Sequence, residues 1–574
     1  MIAEPRGKLL SKKNIAGWPL FCCVLAGLAL SFTPIVIARL RTGMWTLVQP
    51  EIEYYLQIAG QAYYNHLSYI SDPSVPDGII FYPWLPFGPA VALAKALGLS
   101  LFSVGPIWML FGGVGTSAGL YFVFWRFLGR PWIAAGLAIF CLSSLRFSAL
   151  VPLNYQFDAI MRGLLIHPYG KVDLSPIPIW EWRRVVDPAF DLPFLFVQIV
   201  VISIARERQK GISVLLSGLL FGLMFYIYFY MWTLVTVALS LAMLLDSTRR
   251  KIYAQTLLIG IALGAPEVVH LFRLRAVAST EALTRFAAFS AAGSEYLPGL
   301  PWLSIIAIGL MGLWIWSTAT FELTYLWSLA AAGIVLGCSP LLTGAFLHAY
   351  HWTWLMLPVR MILALIVIAM IARERVRWVP AFNWALPSLL AIYLIGGIYL
   401  TAITLTRTED GAAKIENYAR YRSQRLVPGV SPLAPDSVIA GDDRFSELAT
   451  IGENQRALSG VFLNASMSVD DSMWRSRFSL NAFLSGTTDR KEFERAASLE
   501  LETGLWNAPK ITPELLAPFM STYDEVVRYP SKFIKAFAVR YVALPIDRPP
   551  PLYLRSGWTL LQPGPYWQLW ERKD

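Results

Sequence analysis

Charged side chains are scarce in this sequence. Asp, Glu, Lys and Arg make up 15% of its 574 residues, whereas soluble domains carry about 25%. Apolar residues make up 56%, and the mean hydropathy is +0.51. A chain of this length and composition would expose far too much hydrocarbon to stay in water. We therefore expect lipid to be its solvent over much of its length, as in a polytopic α-helical membrane protein.

Cysteine is nearly absent, and its placement limits what the few cysteines can do. The four are Cys22, Cys23, Cys141 and Cys338, and all lie inside apolar stretches. None falls in a polar loop or in the residues after Leu405, so we expect no structural disulfide there. The sequence has no C-x-x-C and no Cys/His pattern with ligand spacing, so we expect no zinc site of that kind.

Motifs of common soluble enzymes are missing too. The sequence contains no Walker loop, no G-x-G-x-x-G and no G-x-S-x-G, so nucleotide hydrolysis and α/β-hydrolase chemistry have no support. The net charge is +10, but much of the excess sits in short clusters beside apolar runs, where it indicates topology. No face interleaves basic and aromatic residues as single-stranded nucleic acid requires, and we expect no nucleic-acid partner.

What the sequence does contain is a series of apolar runs that can cross a bilayer. Since one span takes roughly 20 apolar residues, we predict about eleven transmembrane helices within residues 1–405. They cover residues 15–38, 102–126, 131–150, 188–205, two short spans in 212–246, then 253–272, 300–317, 322–346, 352–372 and 384–405.

After Leu405 the composition turns polar. Residues 406–574 contain short β-like runs with helical stretches between them, which predicts a soluble α/β domain. The last run, "GWTLLQPGPYWQLWER", is typical of a hairpin whose turn is Pro563-Gly564-Pro565.

Lysine and arginine predict the orientation. If the N-terminus is cytoplasmic, nearly all the short inner connections carry positive charge, as the positive-inside rule requires. Arg39 and Arg41 run against that trend. Eleven spans then place the C-terminal domain outside the cytoplasm. The outer connections 39–101, 151–187 and 273–299 are long, and long loops on a rigid scaffold usually carry function.

The first outer loop begins with "QPEIEYYLQIAG", which places Glu51 and Glu53 near the membrane surface. Two such carboxylates can bind a divalent cation, Mg²⁺ or Mn²⁺, through oxygen ligands. Alternatively, one of them can take a proton from an attacking hydroxyl. Solvated loop acids are the third interpretation and the usual one for an isolated Glu-x-Glu.

Positive groups lie on the same predicted side. Arg183 and Arg184 are adjacent on the second outer loop, where a phosphate or pyrophosphate would suit their guanidinium groups; salt bridges within the loop are the alternative. His348 and His351, in "HAYHW", lie at the outer mouth of the tenth span and form the best functional histidine pair.

Arg360 lies within that tenth span, in "MLPVRMILALIVIAM". An arginine at membrane depth is costly and is functional by default, facing the interior of the helix bundle. Snorkelling of the side chain to the outer interface is the competing account.

At these residues the chain resembles the GT-C class of membrane glycosyltransferases. "PEIEYYLQIA" is similar to the acidic start of the first outer loop in that class, and "YHWTWLMLPVRM" resembles the outer mouth of a late span. The stretches "RRVVDPAFDLPF" and "LLFGLMFYIYFYMW" are similar to segments of bacterial proteins of this kind. The resemblance covers most of the chain as architecture and a few short stretches as motif.

The resemblance implies a reaction. A polyprenyl-phosphate donor would give its sugar to a glycan, lipid or protein acceptor at the outer face of the membrane. Glu53 would act as base, Glu51 would position the acceptor or a divalent metal, and a monophosphate leaving group would not make that metal obligatory. The donor phosphate would be bound by positive side chains: Arg183, Arg184, His348, His351 and Arg360. We expect a bacterial inner membrane as the location.

The acidic residues of the first outer loop differ from the pattern that is usual in the class. The class most often has Asp in the first-loop motif, whereas both acids here are Glu. A motif similar to WWDYG is also missing, which argues against an oligosaccharyltransferase.

Three other functions stay open from the sequence. A lipid-linked glycan flippase would show matching halves and charges at mid-bilayer, which we do not find. An O-antigen-type polymerase or ligase would use outer arginines without the early acids. An assembly factor with an outer interaction domain would need none of these charges.

The predicted orientation can be tested with reporter fusions. Alkaline phosphatase, which folds only outside the cytoplasm, should be active when joined after Lys573 and inactive when joined after Lys210. A green fluorescent protein at the same two junctions should give the opposite result. Phosphatase activity at Lys210 would contradict the orientation.

Overall fold

The structure is a computed structural model. It describes the main elements of the chain together with isolated residues between positions 70 and 80, 280 and 281, and 394 and 406. The continuous described ranges are 17–48, 52–67, 82–143, 190–278, 302–337, 349–375, 409–426, 432–459, 468–504 and 512–573.

The described part of the region before residue 405 is mostly helical. Its helices are α1 (Gly17–Thr42), α2 (Ile52–Tyr64), α3 (Gly88–Ala96), α4 (Val104–Leu128), α5 (Pro131–Ser143), α6 (Asp191–Arg208), α7 (Gly211–Met224), α8 (Phe229–Leu245), α9 (Arg250–Val277), α10 (Trp302–Ser317), α11 (Thr324–Gly337) and α12 (Ala349–Arg375).

Within the described residues, three helical segments are long and apolar enough to cross a membrane: Gly17–Thr42, Leu101–Leu128 and Arg250–Val277. Shorter apolar helices, among them α7, α8 and α11, accompany them. A helical apolar region followed by a small sheet is therefore established. The count of eleven spans stays a prediction, and residues 384–405 lie largely outside the described ranges.

The helices begin and end close to the predicted positions. The run 212–246 forms two helices, α7 and α8, with an irregular turn at residues 225–228. The first helix continues to Thr42, so Arg39 and Arg41 belong to its last turn and not to the loop. Their charges therefore lie where they favour a helix C-terminus.

Small residues allow α1 and α4 to approach closely. Gly27 and Ser31 of α1 face Gly113 and Ser117 of α4, each pair being four residues apart. A Cβ on Gly27 would lie 2.4 Å from the Gly113 carbonyl oxygen. This arrangement is typical of membrane helices, which associate through close packing because lipid removes the hydrophobic driving force between them.

Ion pairs join helices at the end that we predict to be cytoplasmic. Arg206 of α6 donates to the carboxylate of Asp246 at 2.7 Å, and Asp246 is only 3% exposed. Tyr253 of α9 donates to the same carboxylate at 3.4 Å. Arg126 of α4 pairs with Glu207 of α6. Charged partners thus fix the relative positions of four helices where the chain leaves the apolar layer.

The region after residue 405 is a mixed α/β structure. It contains α13 (Glu409–Arg425), β1 (Val438–Gly441), α14 (Asp443–Glu453), β2 (Arg456–Ala457), α15 (Asp471–Leu484), α16 (Arg490–Gly504), α17 (Pro513–Arg528), α18 (Pro530–Ala536), β3 (Val539–Pro545), β4 (Trp558–Pro563) and β5 (Trp567–Arg572).

One five-stranded sheet runs through this region, in the order β2-β1-β3-β5-β4. Strands β2, β1 and β3 are parallel, whereas β5 is antiparallel to β3 and to β4. The predicted terminal hairpin is confirmed, with Leu560 opposite Trp570. Asn481 of α15 exchanges hydrogen bonds with both backbone groups of Gly441, which ties the helix to the end of β1.

The C-terminal region packs directly on the first outer segment. Tyr64 at the end of α2 donates to the Ile451 carbonyl of α14 at 2.6 Å. Phe102 makes edge contacts with Tyr418 and Tyr421 of α13, with ring centroids 5.8 and 6.2 Å apart. One continuous core of buried residues extends from the apolar helices into α13, α14 and the sheet. The two regions therefore form a packed unit.

The close crossing of α1 and α4 predicts a strong effect of one methyl group. Gly113→Ala would place a Cβ 1.8 Å from the Ser31 hydroxyl and 2.8 Å from the Gly27 carbonyl, so the helices must separate. We expect a lower melting temperature in detergent, because overpacking of this kind costs about 1–3 kcal/mol of stability.

Gly309→Ala is the matched control, because a Cβ on Gly309 in α10 meets nothing within 4 Å. It should leave the melting temperature unchanged or raise it, since Ala favours a helix over Gly by about 1 kcal/mol. Equal stability of the two variants would contradict the close crossing.

Candidate functional site

Glu53 lies in the first turn of α2, at the start of the first outer segment. The residue is only 8% exposed. A carboxylate in this position is favoured by the partial positive charge of a helix N-terminus, but its burial removes water that would otherwise stabilise the charge. Glu51 precedes the helix and lies outside the described residues.

Glu53 forms an ion pair with a side chain of the C-terminal region. The Nζ of Lys414, on α13, donates to the Glu53 Oε2 at 3.0 Å. The Lys414 side chain is 31% exposed and that of Glu53 is 11% exposed. The pair therefore lies at the edge of the buried core, where one face of the ion pair still meets solvent.

A buried tyrosine lies beside the same carboxylate. Tyr418 is one helical turn after Lys414 and 1% exposed. Burial, followed by the charge of the neighbouring Glu53, holds the pKa of the Tyr418 phenol well above its usual range. Its hydroxyl also lies near Thr46, yet it makes no hydrogen bond of regular geometry among the described residues.

A second buried donor follows Glu53 on its own helix. Gln57 is four residues along α2, so it shares a helix face with Glu53. Gln57 is 6% exposed, and its Nε2 has no hydrogen-bond acceptor among the residues that the structure describes. Hydrogen-bond donors from α13 and from α2 itself thus lie on the same side of the protein as Glu53.

His351 forms a separate group with the irregular turn between α7 and α8. Its Nδ1 is hydrogen-bonded to the Tyr228 hydroxyl, and the ring of Tyr230 stacks on the imidazole at 4.6 Å. Trp352 follows, with its indole N–H donating to Thr233 of α8 at 2.8 Å. These contacts hold the imidazole in one orientation at the start of α12. His348 lies outside the described residues.

Arg360 is nine residues after His351 on α12, roughly 13 Å along the helix axis. Its side chain is half-buried, and its Nη1 is buried without a hydrogen-bond acceptor in the described part of the chain. A guanidinium N–H in that state is costly, on the order of 1–3 kcal/mol or more for a charged group. Such a group is well suited to bind an anion. Arg183 and Arg184 lie outside the described residues.

The predicted site residues thus fall into two described groups. Glu53 is held by α13, whereas His351 is held by the turn before α8 and shares a helix with Arg360. The first group contains a carboxylate that could accept a proton. The second contains side chains that could bind an anion.

The residues described around Glu53 do not assemble a metal site. No three His, Cys, Asp or Glu side chains come close enough to hold an ion, within the part of the chain that was searched. One oxygen of Glu53 already accepts from the Lys414 ammonium, and a divalent cation there would be repelled by that charge.

The sequence did not predict that Lys414 and Tyr418 lie beside Glu53. They lie in a polar helix, "EDGAAKIENYARYRSQR", that looks like an ordinary solvated linker. The one available signal was the spacing of Lys414, Tyr418 and Arg422 at intervals of four, which puts them on one face of that helix.

No protein-family model matches the chain, and no curated protein matches its sequence. Among solved structures, the chain is similar to the archaeal oligosaccharyltransferase AglB from Archaeoglobus fulgidus in complex with an inhibitory peptide and a dolichol-phosphate. That match has 10% identity and a TM-score of 0.44, and covers 93% of this chain and 70% of that one. The A. fulgidus enzyme in complex with zinc and sulfate matches with 12% identity and a TM-score of 0.40, over 92% and 68% of the two chains.

The chain is also similar to ArnT from Cupriavidus metallidurans bound to undecaprenyl phosphate. Identity is 12% and the TM-score 0.41, with 97% of this chain and 98% of that one covered. Identities of 10–12% and TM-scores of 0.40–0.44 assign no activity, substrate or residue role to this chain.

The pairing of Glu53 with Lys414 can be tested through stability alone. In a double-mutant cycle of Glu53→Gln and Lys414→Met, the unfolding free energies in detergent should be non-additive. We expect a coupling energy of about 1 kcal/mol, because the pair is partly buried and Lys414 is partly screened by solvent.

The exposed pair of Glu416 and Arg420 on the same helix is the control. Glu416→Gln and Arg420→Met should combine additively to within about 0.3–0.5 kcal/mol. Additive effects at Glu53 and Lys414 as well would contradict a direct interaction between them.

Proposed function

We propose that this chain is a membrane glycosyltransferase of the GT-C class. It moves a sugar from a polyprenyl-phosphate donor to a glycan, lipid or protein acceptor at the outer face of a bacterial inner membrane. The observation that carries the proposal is Arg360, which lies in an apolar stretch of α12 and has a buried guanidinium N–H without an acceptor among the described residues.

The position of Arg360 favours an anion that reaches the protein from the lipid layer. The flanking residues on α12 are apolar, and Pro358 and Val359 are buried in the bundle. A phosphate oxygen is a strong acceptor for a guanidinium, with geometry suited to two parallel hydrogen bonds. A lipid phosphate combines that headgroup with a chain that stays in the bilayer, so it matches both the charge and the surroundings.

His351 lies at the outer start of the same helix, where it can assist at the phosphate. Its imidazole is fixed by Tyr228 and Tyr230. Together with Arg360, and with Arg183, Arg184 and His348, it would stabilise the charge that develops on the leaving phosphate. These roles follow from the chemistry of the side chains and from the class that the sequence resembles.

Glu53 is the proposed base. The acceptor hydroxyl attacks the anomeric carbon of the donor, the bond from that carbon to the phosphate oxygen breaks, and the hydroxyl proton passes to the Glu53 carboxylate. Polyprenyl phosphate leaves with the bonding electrons. Glu51 would position the acceptor or a divalent cation. The C-terminal region, which contacts α2 through Tyr64 and Ile451, would bind the rest of the acceptor.

Sugar transfer in proteoliposomes tests the proposal. Purified protein receives a panel of radiolabelled polyprenyl-phosphate sugars, with membrane extract as the acceptor source. We expect label to move to the acceptor, and Glu53→Gln to lower the rate by about 100-fold or more, the usual contribution of a general base. Arg360→Met should weaken donor use, because it removes the phosphate partner.

Glu416→Gln is the matched control, since Glu416 is an exposed acid on α13, and it should transfer at the normal rate. The transfer rate with added EDTA shows whether the reaction requires a divalent metal. If labelled lipid crosses the bilayer with its sugar intact, the protein is a flippase and not a glycosyltransferase. Transfer that is unaffected by Glu51→Gln and Glu53→Gln would favour a polymerase or ligase.

A further inference from the structure

The helix that leads into the C-terminal region, α13, lies against the proposed base. Three of its side chains, at intervals of four, point to the first outer segment. Lys414 pairs with Glu53, Tyr418 lies beside the same carboxylate, and Arg422 donates to the Thr42 carbonyl at 3.4 Å. This face of α13 therefore follows the start of the outer segment from the end of α1 to the first turn of α2.

The burial of Glu53 makes a positive partner necessary. An ionised carboxylate withdrawn from water loses several kcal/mol of solvation unless it is paired and hydrogen-bonded. Lys414 supplies the positive charge, at 3.0 Å from one carboxylate oxygen. Without it, the carboxylate would lose the contact that fixes its orientation.

The other side of the carboxylate is lined by donors. Tyr418 and Gln57 each present a buried polar group that has no hydrogen-bond partner among the described residues. Together with the Lys414 ammonium, these groups restrict the orientation of Glu53, as a base in a buried site requires.

We propose that Lys414 is a positioning residue for the transfer reaction. Its ammonium holds the Glu53 carboxylate in one orientation, so α13 completes the acceptor side of the site. Lys414 itself takes no part in the proton transfer between Glu53 and the acceptor. This inference rests on the proposed function, in which Glu53 is the base.

The same helix links the site to the acceptor-facing region. Tyr421 donates to Glu453 at the end of α14 at 2.9 Å, and Arg425 pairs with the same carboxylate. Movement of α14 would therefore be passed to α13 and to Lys414. The C-terminal region is then part of the catalytic unit, and not only a separate module that captures the acceptor.

Aminoethylation provides a test in which the fold is held constant. Lys414→Cys is purified and divided into two portions. One portion is treated with 2-bromoethylamine, which restores an ammonium at nearly the length of lysine, and the other with iodoacetamide, which adds a neutral group. Wild-type protein is treated in the same ways, because it carries four cysteines of its own. Transfer kinetics are measured for each.

We expect kcat of the carbamidomethylated Lys414→Cys protein to fall at least tenfold, with KM for the donor little changed, because the base is misplaced while the phosphate site is intact. Aminoethylation should recover most of the loss, and Lys414→Arg should be more active than Lys414→Met. Arg420→Met, which removes an exposed charge from the same helix, should keep the normal kcat.

Three results would overturn the positioning role. The first is normal kcat in the carbamidomethylated protein, and the second is a loss of kcat that aminoethylation does not repair. The third is an effect confined to KM for the donor, since Lys414 would then belong to the phosphate site. Wild-type protein that transfers sugar from no donor overturns the proposed function instead.

Discussion

A carboxylate withdrawn from water at the membrane surface is the constraint around which this structure is arranged. Glu53 and its partner Lys414 are 361 residues apart in the chain. Burying the Glu53 charge without a partner would cost several kcal/mol, whereas Lys414 still meets solvent. The start of the first outer segment is therefore more stable when the helix after the last apolar run lies against it.

The packing around that pair has the same consequence. Tyr64 reaches α14 through a backbone carbonyl, and Phe102 lies against two tyrosines of α13. The core that these residues share continues from the apolar helices into the parallel part of the sheet. Apolar contact makes the interface stable, whereas the buried charges restrict which geometry of contact is allowed, because a shifted arrangement would leave them unpaired.

Features with a local cause could be predicted from the sequence. Hydropathy placed most of the helices to within a few residues, and the Pro563-Gly564-Pro565 signal gave the terminal hairpin. The partners of the site residues could not be predicted. Lys414 lies in a helix of ordinary polar composition, and Tyr228 is 123 residues from His351. Pairs so distant are created by the packing of helices, for which a single sequence carries no direct signal.

The separation of the two groups of site residues has a physical reason under the proposed chemistry. The donor keeps its lipid in the bilayer, so its phosphate has to be bound by side chains at the depth of Arg360 and the outer start of α12. The acceptor arrives from water, so its base belongs at the surface, between α2 and the C-terminal region. Both sites contain a positively charged side chain, but the two side chains differ in their partners. Arg360 has an N–H without an acceptor in the described part of the chain, whereas the Lys414 ammonium is paired with Glu53. The first is therefore suited to bind a substrate, and the second to hold a catalytic group in place.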